Sequence, residues 1–469
     1  MKNDFLYVEI SNNIAGLIRN EVLKAGDRLP SVRMLCQEHG ISMNTAKRIF
    51  LELEAQSLIE SKPQSGYFVS RLLHRKPALP GVSKPLRTNG KEPDELIRKV
   101  YGSMRKGEVT FLSVGVLAKE LLPIAKLNKE LMHATRQLTG SGTEYESVPG
   151  NENLRRLVAA RSIGWGGSLR ENDLITTAGG MNALSFCMMA LGKPGDTIAM
   201  ESPCYPGSLQ LAVSLGLKVL ELPTHPTTGI EVDALKKVIN KIDLCLLVPN
   251  FNTPLGSLMP EENKKEVVTL LAKHGIPLIE DDIYGDLYFS GQRPKCCKSF
   301  DKEGNVLLCS SFSKTLAPGY RVGWVAPGKY KHQILKLKWV HAISSSTVNN
   351  EAVANFLKSG RYDSHLRKLR LTLQQNYQYA VDAIAEYFPA DTRISRPQGG
   401  LAAWVEFNKK VNTADLFDRA IKQKIGISPG RMYTLQNQFE NCMRLSIGLY
   451  WTDELRQKLK TLGGIVSRM

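Results

Sequence analysis

Residues 310–323 read Ser-Ser-Phe-Ser-Lys-Thr-Leu-Ala-Pro-Gly-Tyr-Arg-Val-Gly. They follow a short apolar run, residues 306–309, that is typical of a buried strand. Lys314 therefore lies where a strand ends, among small hydroxyl residues and seven positions before Arg321. A lysine in such a position can form a Schiff base with an aldehyde. A surface lysine near a turn is the alternative for an isolated Ser-Lys pair.

The side chains around Lys314 add the contacts that a phosphate needs. Ser311, Ser313 and Arg321 offer hydroxyl donors and a bidentate guanidinium. A cofactor that combines an aldehyde with a phosphate is pyridoxal 5'-phosphate (PLP). The run resembles the lysine motif of fold-type I aminotransferases, Ser-x-Ser-Lys-x-x-x-Pro-Gly-x-Arg-x-Gly. The resemblance implies PLP as the cofactor and Lys314 as the residue that carries it.

Length and composition indicate a globular protein of two or three domains, since the chain has 469 residues of which 42% are hydrophobic. No apolar run reaches membrane-spanning length, and residues 1–5 do not resemble a signal peptide. The eight cysteines form no Cys-x-x-Cys pair, and Cys296-Cys297 suits neither a zinc site nor an ordinary disulfide. We therefore expect no metal site and a cytoplasmic location with free thiols. The net charge of +17 permits nucleic-acid binding without requiring it.

Residues 1–70 have the pattern of a winged helix-turn-helix. Apolar spacing predicts helices over residues 6–24, 32–39 and 44–55, with Gly40 ending the second helix and Ser42 capping the third. Alternating residues 58–61 and 66–69 predict a two-stranded hairpin. Three helices followed by a hairpin form this fold.

Three motifs of this segment, residues 26–33, 41–45 and 65–69, resemble those of GntR-type DNA-binding domains. The resemblance implies double-stranded DNA as a partner, with the third helix in the major groove and the wing over the minor groove. A three-helix interaction module with an ordinary polar face is the alternative. The residues that we expect to contact bases or phosphates are Arg33, Ser42, Asn44, Thr45, Lys47, Arg48 and, at the wing tip, Gly66.

Residues 71–108 mix basic residues with proline and glycine, which predicts an extended basic linker. From residue 109 to 469, short apolar runs alternate with helix-like stretches. This pattern is typical of an α/β fold with a mainly parallel sheet covered by helices on both faces. We expect a large part over about 140–345 and a smaller C-terminal α+β part over about 346–469.

Ligands of parallel sheets bind beyond the carboxyl ends of the strands, and every further motif directly follows a predicted strand. Residues 178–184 resemble the family's phosphate loop, although Gly180 and Met181 stand where the family often has serine or threonine. Their backbone N–H groups would bind phosphate at a helix N-terminus. Tyr205 occupies the position of the residue that stacks on the cofactor ring.

Two further strand ends carry polar residues. In Asn252-Thr253-Pro254, the family's asparagine before proline is replaced by threonine. Either Thr253 contacts the phenolic oxygen of the cofactor, or Asn252 does so after a local shift, or the contact is weaker. The Asp-x-x-Tyr spacing assigns Asp281 to the pyridine nitrogen and Tyr284 to the phenolic oxygen.

The last two positions concern the ligand and a partner chain. Arg444, in Met443-Arg444-Leu445, resembles the arginine that binds a substrate α-carboxylate, with a buried structural ion pair as the alternative. Tyr145 resembles the tyrosine that reaches the phosphate in the partner subunit of a dimer.

A GntR-like domain joined to an aminotransferase-like domain is the architecture of MocR-family transcriptional regulators, which this chain resembles along nearly its whole length. The resemblance implies a head-to-tail homodimer in which an amino acid, amine or B6 vitamer acts on the Lys314 aldimine and alters DNA binding. An active aminotransferase that carries a DNA-binding domain is the main alternative. A regulator with a purely structural cofactor is a third.

Overall fold

The computed structural model describes residues 2–20, 22–56, 58–62, 65–70, 77–84, 93–104, 109–113 and 115–469. Packing divides the chain into two compact units. The first, the reader unit, contains residues 1–78, 371–392 and 451–468; the second, the lysine unit, contains residues 79–370 and 393–450. This division by packing differs from the predicted division into residues 1–70, 71–108 and 109–469.

The α-helices of the described residues include the three predicted for the N-terminal segment, although the first of them ends at Arg19 and not at residue 24. They are α1 (Lys2–Arg19), α2 (Val32–His39), α3 (Met43–Ala55), α4 (Asp94–Ser103), α5 (Ile124–Gln137), α6 (Glu152–Arg161), α7 (Gly180–Leu191), α8 (Pro206–Ser214), α9 (Val232–Val238), α10 (Glu261–Lys273), α11 (Lys331–His341), α12 (Thr347–Lys358), α13 (Arg361–Tyr387), α14 (Thr413–Ile421) and α15 (Asp453–Val466).

The strands of the described residues form one hairpin, one large sheet, one small sheet and one isolated pair. They are β1 (Ile59–Lys62), β2 (Gly66–Val69), β3 (Thr110–Phe111), β4 (Ile175–Thr177), β5 (Thr197–Ser202), β6 (Lys218–His225), β7 (Gly229–Ile230), β8 (Leu244–Leu247), β9 (Leu278–Asp281), β10 (Val306–Ser311), β11 (Gly323–Ala326), β12 (Arg393–Ile394), β13 (Ala402–Glu406), β14 (Ile425–Gly426), β15 (Ser428–Pro429) and β16 (Cys442–Ser446).

The predicted winged helix-turn-helix is present. The Ser31 hydroxyl accepts a hydrogen bond from the Met34 N–H at the start of α2, and Gly40 ends that helix at φ 61°. Ser42 caps α3 in the same way. The rings of Phe50 and Tyr67 stack 4.1 Å apart and join α3 to the wing. The predicted turn at residues 63 and 64 lies outside the described residues.

The large sheet has the strand order β4-β11-β10-β9-β8-β5-β6-β7. All neighbouring pairs from β10 to β6 are parallel, whereas β11 and β7 run antiparallel to their neighbours. β4 consequently points the same way as β10. The carboxyl ends of β4, β5, β8, β9 and β10 therefore meet at one edge of the sheet, as the mainly parallel fold predicts.

A small sheet of order β12-β13-β16-β15 lies in the C-terminal part, and β3 pairs in parallel with β14. The described part of the predicted linker is not all extended, because α4 spans Asp94–Ser103 and buries Ile97 and Val100. Proline, glycine and basic residues around this helix hide its amphipathic pattern. The linker's residues 71–76, 85–92 and 105–108 lie outside the described residues.

Among the residues that the structure describes, no helix combines the length and the apolar composition needed to span a lipid bilayer.

Candidate functional site

Lys314 lies just beyond β10, at the shared edge of the large sheet. Its Nζ atom donates a 2.6 Å hydrogen bond to the carbonyl oxygen of Gly115. Burial lowers the pKa of Lys314 to about 8, and the positive charges of Arg444 and Arg321 add to this effect, while Asp281 opposes it. A lowered pKa increases the neutral fraction of the amine, which is the nucleophilic form.

The N-terminus of α7 and the residues after β10 form an anion cradle. Arg321 donates to the carbonyl oxygen of Ala178 at 3.1 Å, and its Nη1 atom lies 3.5 Å from the Ser313 hydroxyl. Gly179 has φ 82°, and a Cβ atom there would collide with the Arg321 guanidinium. A Cβ atom on Gly180 would lie 3.7 Å from the Ser311 hydroxyl. Helix N–H groups, two hydroxyls and a guanidinium therefore converge on one point.

Asp281 ends β9 beside the lysine. Burial raises the pKa of Asp281 to about 7, with a further contribution from Asp282 and an opposing one from Lys314. The neighbouring Asp282 turns away, because it forms an ion pair with Arg293 and accepts a 2.7 Å hydrogen bond from Asn250. Asp281 is thus the carboxyl group of this pair that faces the lysine.

The segment around cis-Pro254 distinguishes the alternatives left open for Asn252 and Thr253. The Asn252 amide donates a hydrogen bond to Glu201 Oε2. The Asn252 side chain is therefore already engaged by a buried carboxylate. Burial raises the pKa of Glu201 to about 7, and its Oε1 atom has no hydrogen-bond partner. The Thr253 hydroxyl is buried beside the phenol of Tyr284 without reaching hydrogen-bond geometry. This arrangement favours Thr253 over Asn252 as the side chain available to a ligand.

Arg444 lies in β16, with its guanidinium 5.6 Å from the ring centroid of Tyr433. Its Nη2 atom donates to the carbonyl oxygen of Ser113, and a Cβ atom on Gly115 would lie 3.3 Å from its Nη1 atom. Its Nε–H group is buried without a partner. Ser113 is itself fixed, because its hydroxyl donates to the Arg444 carbonyl at 2.5 Å.

Ser113, Gly115 and Tyr433 were not predicted as site residues. The first two act through backbone carbonyls, which leave no side-chain signal in a sequence. Tyr433 belongs to none of the motifs identified in the sequence above.

Of the two predicted cofactor-binding tyrosines Tyr205 and Tyr145, only Tyr205 lies with the cluster around Lys314 in this chain. The half-buried Tyr205 immediately precedes α8, and its charge contributes to the raised pKa of Tyr284 together with that of Asp281, although burial is the main cause. Tyr205 therefore belongs to the same cluster as Asp281, Tyr284 and Arg444. Tyr145 is 79% exposed and lies outside this cluster within its own chain.

The residues present fit PLP. The anion cradle suits its phosphate, Lys314 its aldehyde, and Asp281 its pyridine nitrogen. Three buried polar atoms without partners, Glu201 Oε1, Thr253 Oγ1 and Arg444 Nε, lie in the surrounding residues. Buried polar atoms of folded proteins are nearly always paired, so these atoms indicate a site that takes a polar ligand.

The predicted DNA-contact residues fall into two groups. Arg33, Asn44 and Lys47 are exposed, and Gly66 is exposed at the wing with φ 99°. In contrast, the hydroxyls of Ser42 and Thr45 bond each other at 2.8 Å, and both serve the cap of α3.

Two arginines change the set of residues that we expect to contact DNA: Arg48 was predicted and Arg28 was not. The guanidinium of Arg48 lies 4.0 Å from the ring centroid of Tyr7 and donates to its phenol at 3.0 Å. Arg28, which was not predicted as a contact, pairs with Phe68 in a β-bridge, and its guanidinium approaches Gly66. The wing therefore presents a cation supplied by the segment before α2.

Two family models match the chain. The model of aminotransferase class I and II covers residues 108–459, and that of the gntR family of bacterial regulatory proteins covers residues 6–69. The chain belongs to the family that joins these two domains, as the resemblance to MocR regulators implied.

Two relatives match nearly the whole chain. The uncharacterized HTH-type transcriptional regulator YjiR of Escherichia coli (strain K12) is 36% identical, over 98% of this chain and 99% of its own. The uncharacterized HTH-type transcriptional regulator YdcR of the same strain is 31% identical, over 98% of each chain. Among solved structures, the α-aminoadipate aminotransferase LysN of Thermus thermophilus, complexed with N-(5'-phosphopyridoxyl)-L-leucine, has a TM-score of 0.73 and 25% identity, covering 80% of this chain and 94% of its own.

Proposed function

We propose that this protein is a PLP-dependent transcriptional regulator whose DNA affinity responds to a small amine that binds at Lys314. The observation that carries the proposal is one chain that joins a GntR-type winged helix to a cluster of Lys314, Asp281 and Arg444. The relatives named as HTH-type transcriptional regulators support the regulatory role. Because its partner would be chromosomal DNA, we place the protein in the cytoplasm.

PLP would supply an electrophilic aldehyde and an electron-withdrawing pyridinium ring. Lys314 would provide the amine for the aldehyde. Gly180 and Met181 would provide N–H groups, and Ser311, Ser313 and Arg321 would provide side-chain donors for the phosphate. Asp281 would hold a proton on the pyridine nitrogen, and Tyr205 would pack against the ring. Tyr284 and Thr253 would lie beside the phenolic oxygen.

A ligand must compete with the protein's own backbone at this site. In the structure, the Gly115 carbonyl accepts from Lys314 and the Ser113 carbonyl accepts from Arg444. A carboxylate would replace the Ser113 carbonyl on Arg444, since a charge-assisted pair is stronger than a bond to a neutral acceptor. We therefore propose an amino acid as the effector, with amines and B6 vitamers as the alternatives that lack the contact with Arg444.

We further propose that the protein acts as a head-to-tail homodimer. Tyr145 supports this arrangement, because an aromatic side chain that is 79% exposed and resembles a partner-directed tyrosine is suited to a contact with a second copy. Two winged helices in one dimer would bind two half-sites of an operator.

A working aminotransferase is the second candidate, and the presence of Lys314, Asp281 and Arg444 in one cluster favours it. One experiment separates the two. An operator is first selected from random-sequence DNA with the PLP-loaded protein, and its Kd is then measured with each of a panel of L-amino acids, amines and B6 vitamers. Turnover of the same compounds is measured with a keto acid as amino acceptor.

An altered Kd without turnover supports the regulator. Steady turnover with an unchanged Kd supports the enzyme. A Kd that is indifferent to both PLP and the panel contradicts the sensing role.

A further inference from the structure

The turn that carries Lys314 is held from behind by the first two turns of α13. The Tyr362 phenol oxygen lies 2.9 Å from Thr315 Oγ1, and His365 Nε2 lies 2.8 Å from the carbonyl oxygen of Thr315. The rings of Tyr362 and Phe312 meet edge to face, with their centroids 5.7 Å apart. The residues on both sides of Ser313-Lys314 are thus attached to α13.

Tyr362 is in turn fixed by a buried ionic network. Its phenol donates to Asp286 Oδ2 at 3.1 Å, which leaves the Thr315 hydroxyl to donate to the phenol oxygen. The Arg161 guanidinium lies 4.7 Å from the centroid of the Tyr362 ring. Burial would raise the pKa of Asp286, but Arg293 and Arg161 lower it, so this carboxylate stays charged and keeps its acceptor role.

The space next to this attachment is not filled by protein atoms. A cavity of about 730 Å³ is lined by Arg161, Phe312, Thr315 and Tyr362, together with residues of the loop after β9. Close-packed interiors resist movement, whereas side chains beside a cavity can shift without meeting other atoms. The first turns of α13 and the Lys314 turn can therefore move together.

Helix α13 belongs to both compact units. Its residues up to Arg370 lie in the lysine unit, and its residues from Leu371 to Tyr387 lie in the reader unit, which also contains the winged helix. An α-helix transmits displacement along its axis, because each residue is hydrogen-bonded to the next turn. A movement imposed at Thr315 would thus reach residues that pack with the reader unit.

We infer that Tyr362 and His365 are positioning residues that pass the chemical state of Lys314 to α13, and through α13 to the unit that contains the winged helix. The inference rests on the proposed function for the origin of the signal. Lys314 changes its bonds when a ligand amine replaces it, and Thr315 is the adjacent residue. The bonds of Thr315 to Tyr362 and His365 convert this local change into a displacement of the helix start.

The test uses the full-length protein with Tyr362→Phe and His365→Gln. Phenylalanine keeps the ring against Phe312 and Arg161 and removes only the phenol that reaches Thr315 and Asp286. Tyr288→Phe is the matched control, because its phenol accepts from Arg370 at 2.8 Å near the same cavity but does not bond the Lys314 turn. The double variant Tyr362→Phe with Thr315→Val tests whether the two residues act through one bond.

Two quantities are measured. The first is the change in operator Kd caused by the most effective compound of the panel, which for coupled sites is about 5- to 150-fold. We expect Tyr362→Phe and the double variant to lose most of this change equally, with unaltered Kd in the absence of the compound and an unaltered PLP absorption band. The second is hydrogen exchange of the α13 amides from 371 to 387 when PLP is added to the cofactor-free protein.

PLP should change this exchange in the wild type and in Tyr288→Phe, and not in Tyr362→Phe. A full Kd response in Tyr362→Phe would overturn the inference. If the wild-type Kd responds to no compound, the proposed function fails and the exchange measurement alone decides: equal exchange changes in wild type and Tyr362→Phe overturn the inference as well.

Discussion

Lys314 Nζ lies 2.6 Å from the carbonyl oxygen of Gly115, and the Ser113 carbonyl accepts from Arg444 in the same segment. The amine and the guanidinium that an amino acid would need are therefore both bonded to backbone carbonyls, those of Gly115 and Ser113. A ligand of the proposed kind would exchange these two bonds and would also find one unpaired donor, the Nε–H group of Arg444. The affinity of the site consequently reflects the difference between two sets of contacts.

Replacing Lys314 by alanine should abolish the covalent attachment of PLP. We expect no visible band from lysine-bound PLP and no cofactor retained after borohydride reduction, measured by absorbance and peptide mass. Lys338→Gln is a suitable control, because burial also lowers the pKa of Lys338 to about 8, yet its amine donates to the Thr176 hydroxyl in β4. A reducible adduct that persists in Lys314→Ala would contradict the assignment.

The rate of PLP uptake should depend on pH through Lys314. Only the neutral amine attacks an aldehyde, and burial lowers the pKa of Lys314 to about 8. Uptake should therefore rise as the pH increases through about 8 and then level off. Arg444→Gln removes a positive charge that lowers this pKa, so its midpoint should move to higher pH, whereas Arg431→Gln should leave it in place. A midpoint near that of an ordinary lysine would refute the prediction.

Arg444→Gln should weaken binding of compounds that carry a carboxylate. We expect a loss of about tenfold to a hundredfold, corresponding to about 1.5–3 kcal/mol for hydrogen bonds to a charged group. Titration of the visible band with an amino acid and with its decarboxylated amine measures the effect. The amine should bind both proteins alike, and equal losses for the two compounds would mean that Arg444 does not contact the carboxylate.

Thr253→Asn should shift the titration of the bound cofactor. An amide at this position can donate to the phenolic oxygen of PLP and stabilises its anionic form, so the visible band should titrate at lower pH than in the wild type. Thr253→Val should not lower it. Absorbance spectra over a pH series decide the point, and identical curves for all three proteins would show that residue 253 does not reach that oxygen.

Lys47→Ala and Arg33→Ala should each weaken operator binding and reduce the salt dependence. Loss of one phosphate contact lowers the slope of log K against log salt by about 1. Lys265→Ala, which removes one exposed positive charge from α10, should leave the slope unchanged. Binding assays over a salt series provide the measurement. Slopes equal to that of the wild type would remove Lys47 and Arg33 from the interface.

Arg48→Ala is expected to behave differently. Its guanidinium lies over Tyr7, and loss of a cation–π contact costs about 0.5–1 kcal/mol at an exposed site. The variant should therefore lower the thermal stability of the winged helix in addition to any effect on DNA. A Tm equal to that of Lys47→Ala would show that the contact with Tyr7 does not contribute to stability.

Local signals predicted much of the fold. Helix α2 was predicted with its observed bounds, because Ser31 and Gly40 define its ends through bonds within a few residues. The motifs at the strand ends were predicted to converge because parallel strands end at one edge of the sheet. Both predictions depend on short-range chemistry and a simple topological rule.

The remainder depends on contacts between distant residues. Thr315 and Tyr362 are 47 positions apart in the chain, and neither belongs to a motif that points to the other. Ser113 and Gly115 make these contacts through peptide carbonyls. Every residue has such a carbonyl, so the sequence carries no signal for the contacts. Asn252 turns toward Glu201 because of a buried bond that its neighbours in sequence do not reveal.

The use of backbone carbonyls at Ser113 and Gly115 has a consequence for mutations of this segment of the chain. A point mutation replaces a side chain but cannot delete a peptide carbonyl, so substitutions at these two positions act on Lys314 and Arg444 only indirectly, through the Ser113 hydroxyl or through crowding of Arg444 by a side chain at residue 115. Insertions, deletions or a proline that alters the path of the chain would change the contacts of the two carbonyls. We therefore expect a one-residue insertion or deletion in this segment to change the affinity for the proposed effector more than a conservative substitution of one of its side chains does.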